Sequence, residues 1–126
     1  MRERPKFDDK GMTQWHWMVK HHQNLELGEN TEIGAFTLID AFKGVRIEDN
    51  VKIGFGAIIL SYSSIDKKEG KVTLKKGCSV GANTVVLPGV TIGENSIVGA
   101  QSLVNKDIPP GEVWFGSPAK FFKKGE

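Results

Sequence analysis

The side chains best suited to chemistry in this chain are three histidines, one tyrosine, one cysteine and scattered lysines, and they are unevenly placed. His16, His21 and His22 all precede residue 23. A histidine suits proton abstraction because its pKa lies near neutrality, but these lie beside Trp15 and Trp17 and read first as parts of a capping or surface segment. Tyr62 sits among Ser61, Ser63 and Ser64, where hydroxyls could position a polar ligand or steady a developing oxyanion. Asp40 could orient an amine or a hydroxyl through a charge-assisted hydrogen bond, or could only form a turn. Lys120, Lys123 and Lys124 flank Phe121 and Phe122 in a basic tail that can meet an anion or end the chain in solvent. Cys78 stands alone, so it has no intrachain disulfide partner, and packing is its expected role.

A repeat positions these residues. Leu74, Val80, Val86, Ile92, Val98 and Val104 are six apart, and glycine follows three of them (Gly81, Gly93, Gly99). Three positions after each come Gly77, Asn83, Gly89, Asn95 or Gln101, types that mostly tolerate positive φ. By chance such a register arises on the order of once in ten thousand trials. This is a hexapeptide repeat, the sequence mark of a parallel β-helix. Each short strand points one aliphatic residue inward, with a smaller one two before it (Val72, Cys78, Thr84, Val90, Ser96, Ser102). Three strands close one triangular coil, and each coil buries its core only against the next.

The pattern begins earlier with Leu27, Ile33 and Ile39, then Ile47, Ile53, Ile59 and Ile65. Eight residues separate Ile39 from Ile47 and nine separate Ile65 from Leu74, so the extra residues must leave as bulged corners. Counting in threes places Ile39, Ile59, Val80 and Val98 on one face. Corners 40–44, 60–62, 81–83 and 99–101 then share one edge, which would carry an acid, a Tyr–Ser cluster and two small-residue turns. Small turns let a ligand approach the backbone closely, so this edge is the expected site.

Composition narrows the class. The 126 residues fit one all-β domain, divided into an N-terminal tail and cap (1–24), the β-helix (25–106) and a C-terminal strand with a basic tail (107–126). Hydrophobic content of 39% and charged content of 25% suit a soluble globular protein. No apolar run approaches the ~18 residues of a membrane span. The N-terminus lacks a secretory h-region, so a cytoplasmic location is expected. A formal net charge of +2 is too small to argue for nucleic acid. Pro109 and Pro110 should stop regular pairing. Glu112 to Phe115 should return as a strand before Gly116-Ser117-Pro118 turns the chain.

The stretch Val90-Thr91-Ile92-Gly93-Glu94-Asn95 through Gly116-Ser117-Pro118-Ala119-Lys120 resembles the C-terminal signature of the hexapeptide-repeat acyltransferases, and the likeness extends over about residues 25–124. The resemblance implies a left-handed parallel β-helix, an exception to the right-handed crossover rule. It further implies a homotrimer that binds acetyl-CoA in the groove between neighbouring prisms. Ala82 and Ala100 would offer backbone groups to the pantetheine arm, and Asn105, Lys106, Lys120 and Lys123 would meet the nucleotide end and its phosphates. The segments Lys20-His21-His22-Gln23-Asn24-Leu25 and Ser64-Ile65-Asp66-Lys67-Lys68-Glu69-Gly70 are similar to those of acetyltransferases acting on sugars and nucleotide sugars.

One departure bears on mechanism. Many relatives carry a histidine base in the corner loop, where this chain has Ser64 without gaps, with Tyr62 two residues before it. The missing histidine tilts the acceptor towards an amine, which attacks without a protein base if it arrives neutral. Asp40, Tyr62 and Ser64 are therefore the candidate acceptor-side residues of an amino-sugar acetyltransferase. Sugar O-acetylation, with an N-terminal histidine folded into the site, is the alternative enzyme reading. A non-catalytic ligand-binding or scaffold β-helix is the alternative of another class. The zinc enzyme of the same fold needs three histidines presented by adjacent coils. His16, His21 and His22 precede the repeats, so no metal is expected.

Overall fold

A computed structural model describes residues 3–125, and Met1, Arg2 and Glu126, at the ends of the two terminal divisions, lie outside the described residues. The chain winds as a left-handed parallel β-helix with three faces. Face A stacks Met18–Lys20, Leu38–Asp40, Ile58–Leu60, Val85–Val86 and Leu103–Val104. Face B stacks Leu25–Leu27, Val45–Ile47, Val72–Leu74 and Thr91–Ile92, extended by a bridge from Ile92 to Ile108. Face C stacks Glu32–Ile33, Lys52–Ile53, Ser79–Val80, Ile97–Val98 and Glu112–Gly116, and the antiparallel strand Ala119–Lys124 completes it.

The repeat explains this winding through burial. Ile39, Ile59, Val86 and Val104 on face A, Ile47, Leu74 and Ile92 on face B, and Ile53, Val80 and Val98 on face C all point inward and are buried. Each such side chain contributes roughly 1.5–3 kcal/mol of transfer free energy. Between strands the chain must turn sharply, and each corner on edges BC and CA has one left-handed residue. On edge BC these are Asn30, Asn50, Gly77, Asn95 and Gly111; on edge CA they are His16, Phe36, Gly56, Asn83 and Gln101. Successive corners also stack closely. A Cβ added to Gly81 would lie 2.5 Å from the Ala100 amide nitrogen, so only glycine fits there.

The helix starts earlier than the spacing suggests. Met18–Lys20, inside the segment assigned to the cap, already pairs in parallel with Leu38–Asp40. Residues before it close the open base. The Val19 amide donates to the Gly11 carbonyl (2.8 Å), and the Thr13 amide donates to the Trp17 carbonyl (2.9 Å). The Arg4 guanidinium donates to the Leu27 carbonyl (2.9 Å) and the Gly28 carbonyl (2.8 Å) at the foot of face B. Trp17 is buried in this cap, packed edge-on against Phe7.

Two expectations about register are overturned. Ile65 is not a rung: it is 94% exposed at the tip of a hairpin formed by Tyr62–Ser63 and Lys68–Glu69. The polar run from Asp66 to Glu69 has nothing to bury, so residues 62–69 leave the coil. Removing that false rung rotates everything after it by one face. Ile39 and Ile59 therefore stack with Val86 and Val104, whereas Val80 and Val98 stack with Ile33 and Ile53. The basic tail is solvent-exposed from Lys120 to Gly125 and yet regular. It is a strand paired to Glu112–Gly116, and of its apolar residues Ala119 is buried while Phe121 and Phe122 are exposed.

Candidate active site

The corrected register divides the expected site between two edges on either side of face A. Edge CA carries the small-residue turns. Its corners read Gly34-Ala35-Phe36-Thr37, Gly54-Phe55-Gly56-Ala57, Gly81-Ala82-Asn83-Thr84 and Gly99-Ala100-Gln101-Ser102, ascending the axis. A hydrogen bond ties each left-handed residue to the corner below. The Phe36 amide donates to the His16 carbonyl (2.7 Å), Gly56 to Ala35 (3.1 Å), Asn83 to Phe55 (2.9 Å) and Gln101 to Ala82 (2.8 Å). The last residue of each corner turns inward, where the Thr84 and Ser102 hydroxyls both donate to the Gly99 carbonyl (3.1 and 2.7 Å). Above Gly99 stands Phe115, opposite Lys120 in the C-terminal hairpin. Small residues line the upper half of this edge. The lower half is aromatic, with Phe55 66%, Phe36 79% and Trp15 39% exposed.

Edge AB carries the hydroxyls and the acid. The buried Ser61 knits two coils together: its hydroxyl donates to the Asp40 carbonyl (2.7 Å) and accepts from the Lys43 amide (2.9 Å). The Asp40 carboxylate accepts from the Phe42 amide (3.0 Å), which gives it a turn-forming role. Rings from successive coils form a ladder one rung apart: His21 to Phe42 at 4.9 Å between centroids, then Phe42 to Tyr62 at 5.3 Å. Lys43 lies 4.6 Å from the Phe42 ring centroid and 3.7 Å from the Glu69 carboxylate. At the hairpin tip the Ser63 hydroxyl, opposed by desolvation and helped to a lesser extent by the Lys68 amide, holds the Asp66 carboxyl below its usual range.

The predicted residues are thus distributed over both edges. Asp40 and Tyr62 share edge AB, Ser64 is on its hairpin, and Asn105 and Lys106 form its uppermost corner. Ala82 and Ala100 lie on edge CA, and Lys120 and Lys123 lie on the hairpin strand above face C. One prism does not bring the two groups together. Sequence reasoning placed Phe42, within corner 40–44, on the Tyr62 edge but gave it no role, and missed His21. His21 occupies the AB corner of its coil, a position that can be read only once the first rung is set at Met18. Of the other histidines, His16 begins the CA column and His22 stacks on Phe7 at 4.4 Å in the base. Among the described residues no three His, Cys, Asp or Glu side chains gather so as to hold a metal ion. No helix among them is long and apolar enough to cross a membrane.

The profile "Bacterial transferase hexapeptide (six repeats)" matches residues 71–106, and "Hexapeptide repeat of succinyl-transferase" matches residues 25–61. The two matches flank the hairpin and cover the rungs on either side. The chain belongs to the hexapeptide-repeat acetyltransferase family.

Family members of known structure superpose along most of the chain. A hexapeptide-repeat acetyltransferase of Vibrio cholerae, solved with acetyl coenzyme A, has a TM-score of 0.83 at 26% identity, covering 87% of this chain and 65% of the other. A galactoside acetyltransferase in complex with coenzyme A has a TM-score of 0.80 at 28% identity, covering 87% and 59%. In sequence, the Bacillus subtilis protein YvoF, named as an acetyltransferase, is 29% identical over 108 residues, 82% of this chain and 63% of its own length. This hexapeptide-repeat chain therefore spans less than two thirds of each of these three relatives.

Proposed function

We propose that this protein is an acetyl-CoA-dependent acyltransferase whose acceptor is the amine of a sugar, carried on a nucleotide. One observation carries the donor half. The small upper half of edge CA, with Ala100 above Ala82, leads directly to Phe115 and its hairpin partner Lys120. A pantetheine arm fits against exposed backbone where side chains are small, and lysines meet its phosphates as point charges. The CoA and acetyl-CoA complexes of the family support this reading. Lys123, with Lys106 and Asn105 reaching across from edge AB of the neighbouring protomer, would complete the nucleotide end.

The acceptor half sits on edge AB, with Asp40, Tyr62 and Ser64. Because face A separates the edges, the donor on one protomer must meet the acceptor on its neighbour, and a homotrimer satisfies this. A slim prism also gains stability by burying more surface in assembly. In the transfer, the neutral amine attacks the thioester carbonyl carbon and the C–N bond forms. The C–S bond then breaks, and the amine proton passes to the departing thiolate. No protein base is needed, and the Tyr62 and Ser64 hydroxyls orient the acceptor.

A panel of nucleotide-linked amino sugars and their hydroxyl counterparts, read by thiol release and product mass, tests this. Turnover is expected with amines only, and sedimentation should show trimers. Acetyl-CoA binding without turnover on any acceptor would instead support a non-catalytic role. The ring ladder favours one rival, since His21 is a single ring away from Tyr62. If His21→Asn lowers turnover about a thousandfold, within the roughly 10²–10⁴-fold cost of a lost general base, sugar O-acetylation takes the lead.

A further inference from the structure

The lower half of edge CA carries aromatic groups at a cost to the fold. Phe36 occupies a left-handed corner (φ 66°) and is 79% exposed. That conformation disfavours any side chain other than Gly, Asn or Asp by about 1 kcal/mol or more. The equivalent corners above use Gly56, Asn83 and Gln101. Phe36 thus accepts backbone strain without burying its ring, a combination that marks functional positions. Phe55, 66% exposed, stands one rung above it, and Trp15 one rung below. Phe55 and Trp15 also border a cavity of about 860 Å³ lined both by Trp17, Ile33 and Ile53 and by Arg4, Glu29 and Glu32.

Distance along the axis says what this aromatic foot would meet. Rungs are about 4.8 Å apart. An extended pantetheine arm of about thirteen bonds spans roughly 15 Å at the reach of an extended chain, or three rungs. If the phosphates are held at Lys120, the arm passes Ala100 and Ala82 and its sulfur arrives beside Phe55. We infer that the acyl group of the donor rests on Phe55 and Phe36, with the cavity beside Phe55, so that the protein binds acyl-CoA of three or four carbons more tightly than acetyl-CoA. This inference rests on the donor placement proposed above. It adds the chemical class of the acyl group and names two residues that select it.

Calorimetric titration with CoA, acetyl-CoA, propionyl-CoA and butyryl-CoA tests the idea without knowledge of the acceptor. A fully buried methylene is worth about fourfold in affinity, so a twofold to fourfold gain per added carbon is expected in the wild type. Phe55→Ala and Phe36→Asn should flatten that gain, which is read in each variant relative to that variant's own affinity for CoA. Both positions are exposed, and asparagine suits the corner, so neither change should impair folding. A flat series in the wild type, or an undiminished gain in both variants, overturns the inference but leaves the donor site standing. If the variants alter sedimentation and not the chain-length series, the aromatic foot is a contact between copies and the inference fails. If CoA does not bind the wild type at all, the donor placement itself is wrong.

Discussion

Edges BC and CA are built to the same plan and have diverged in opposite directions. Both turn through a left-handed residue at each corner and repeat at the same rise. On edge BC every such residue, from Asn30 to Gly111, is Asn or Gly, which suits the conformation. On edge CA the same geometrical duty falls to His16, Phe36 and Gln101 as well as to Gly56 and Asn83. Since the frame asks the same of both, the difference cannot be explained by folding. An edge that follows the backbone's preferences carries structure; one that overrides them carries a second requirement.

The largest expected effect should not distinguish the edges at all. An added Cβ at Gly81 (edge CA) would meet the Ala100 amide nitrogen, and one at Gly93 (edge BC) would meet that of Pro110. Gly81→Ala and Gly93→Ala should therefore each cost about 3 kcal/mol in denaturant unfolding, at the upper end of overpacking penalties. If only one does, the shared plan is wrong.

Lysines should separate the edges next. Replacing Lys106, Lys120 and Lys123 together by Ala should raise the acetyl-CoA half-saturation constant about tenfold, since exposed ionic contacts contribute at most about 1 kcal/mol each. The same change at Lys75 and Lys76, on an edge BC corner, should leave it unaltered. Equal losses would remove edge CA from the donor site. Smaller still is the corner exchange. Phe36→Asn should stabilise the fold by about 1 kcal/mol, and Asn50→Phe should destabilise it by about as much, read as opposite shifts in melting temperature.

The last expected effect vanishes at neutral pH and emerges only in alkali. Burial, with a lesser contribution from the Glu48 carboxylate, pushes the Cys78 thiol behind edge BC up to about 12. The folded state keeps that proton where the unfolded chain releases it. Stability should thus fall as pH rises from about 9 towards 12, and Cys78→Ser should flatten that slope. Below about pH 8 both states hold the proton and Cys78 contributes no pH dependence.

The period of six made the coil legible, because an inward aliphatic residue is demanded at every rung whatever the rest of the chain does. Which edge a corner belongs to was not legible. That assignment depends on counting rungs in threes, and Ile65 keeps perfect six-residue spacing from Ile59 while lying wholly outside the coil. One false rung rotates the whole upper helix by a face, and for this reason Ala82 and Ala100 were placed on the edge of Asp40 and Tyr62. Only the polar run from Asp66 to Glu69 marks Ile65 locally as false, and the decisive sign, the absence of a buried partner, is a property of the assembled coil. The aromatic ladder was hidden for a related reason: His21, Phe42 and Tyr62 are far apart in sequence, and only the stacking of coils makes them neighbours.

The hairpin responsible for that miscount also has an unusual junction. It leaves the coil at Ser61 and rejoins it at Gly70, whose amide donates to the Ser61 carbonyl (2.9 Å) and whose carbonyl accepts from the Gly89 amide of the next corner (3.0 Å). The coil is thereby closed beneath the excursion, with Ser61 also bonded to the corner below. Residues 62–69 hang from the frame as an interchangeable cassette. Grafting hairpins of other lengths and chemistries at this junction should give a series of proteins with one scaffold and altered acceptor preference. Such a series would let natural or laboratory selection explore new substrates without renegotiating the fold.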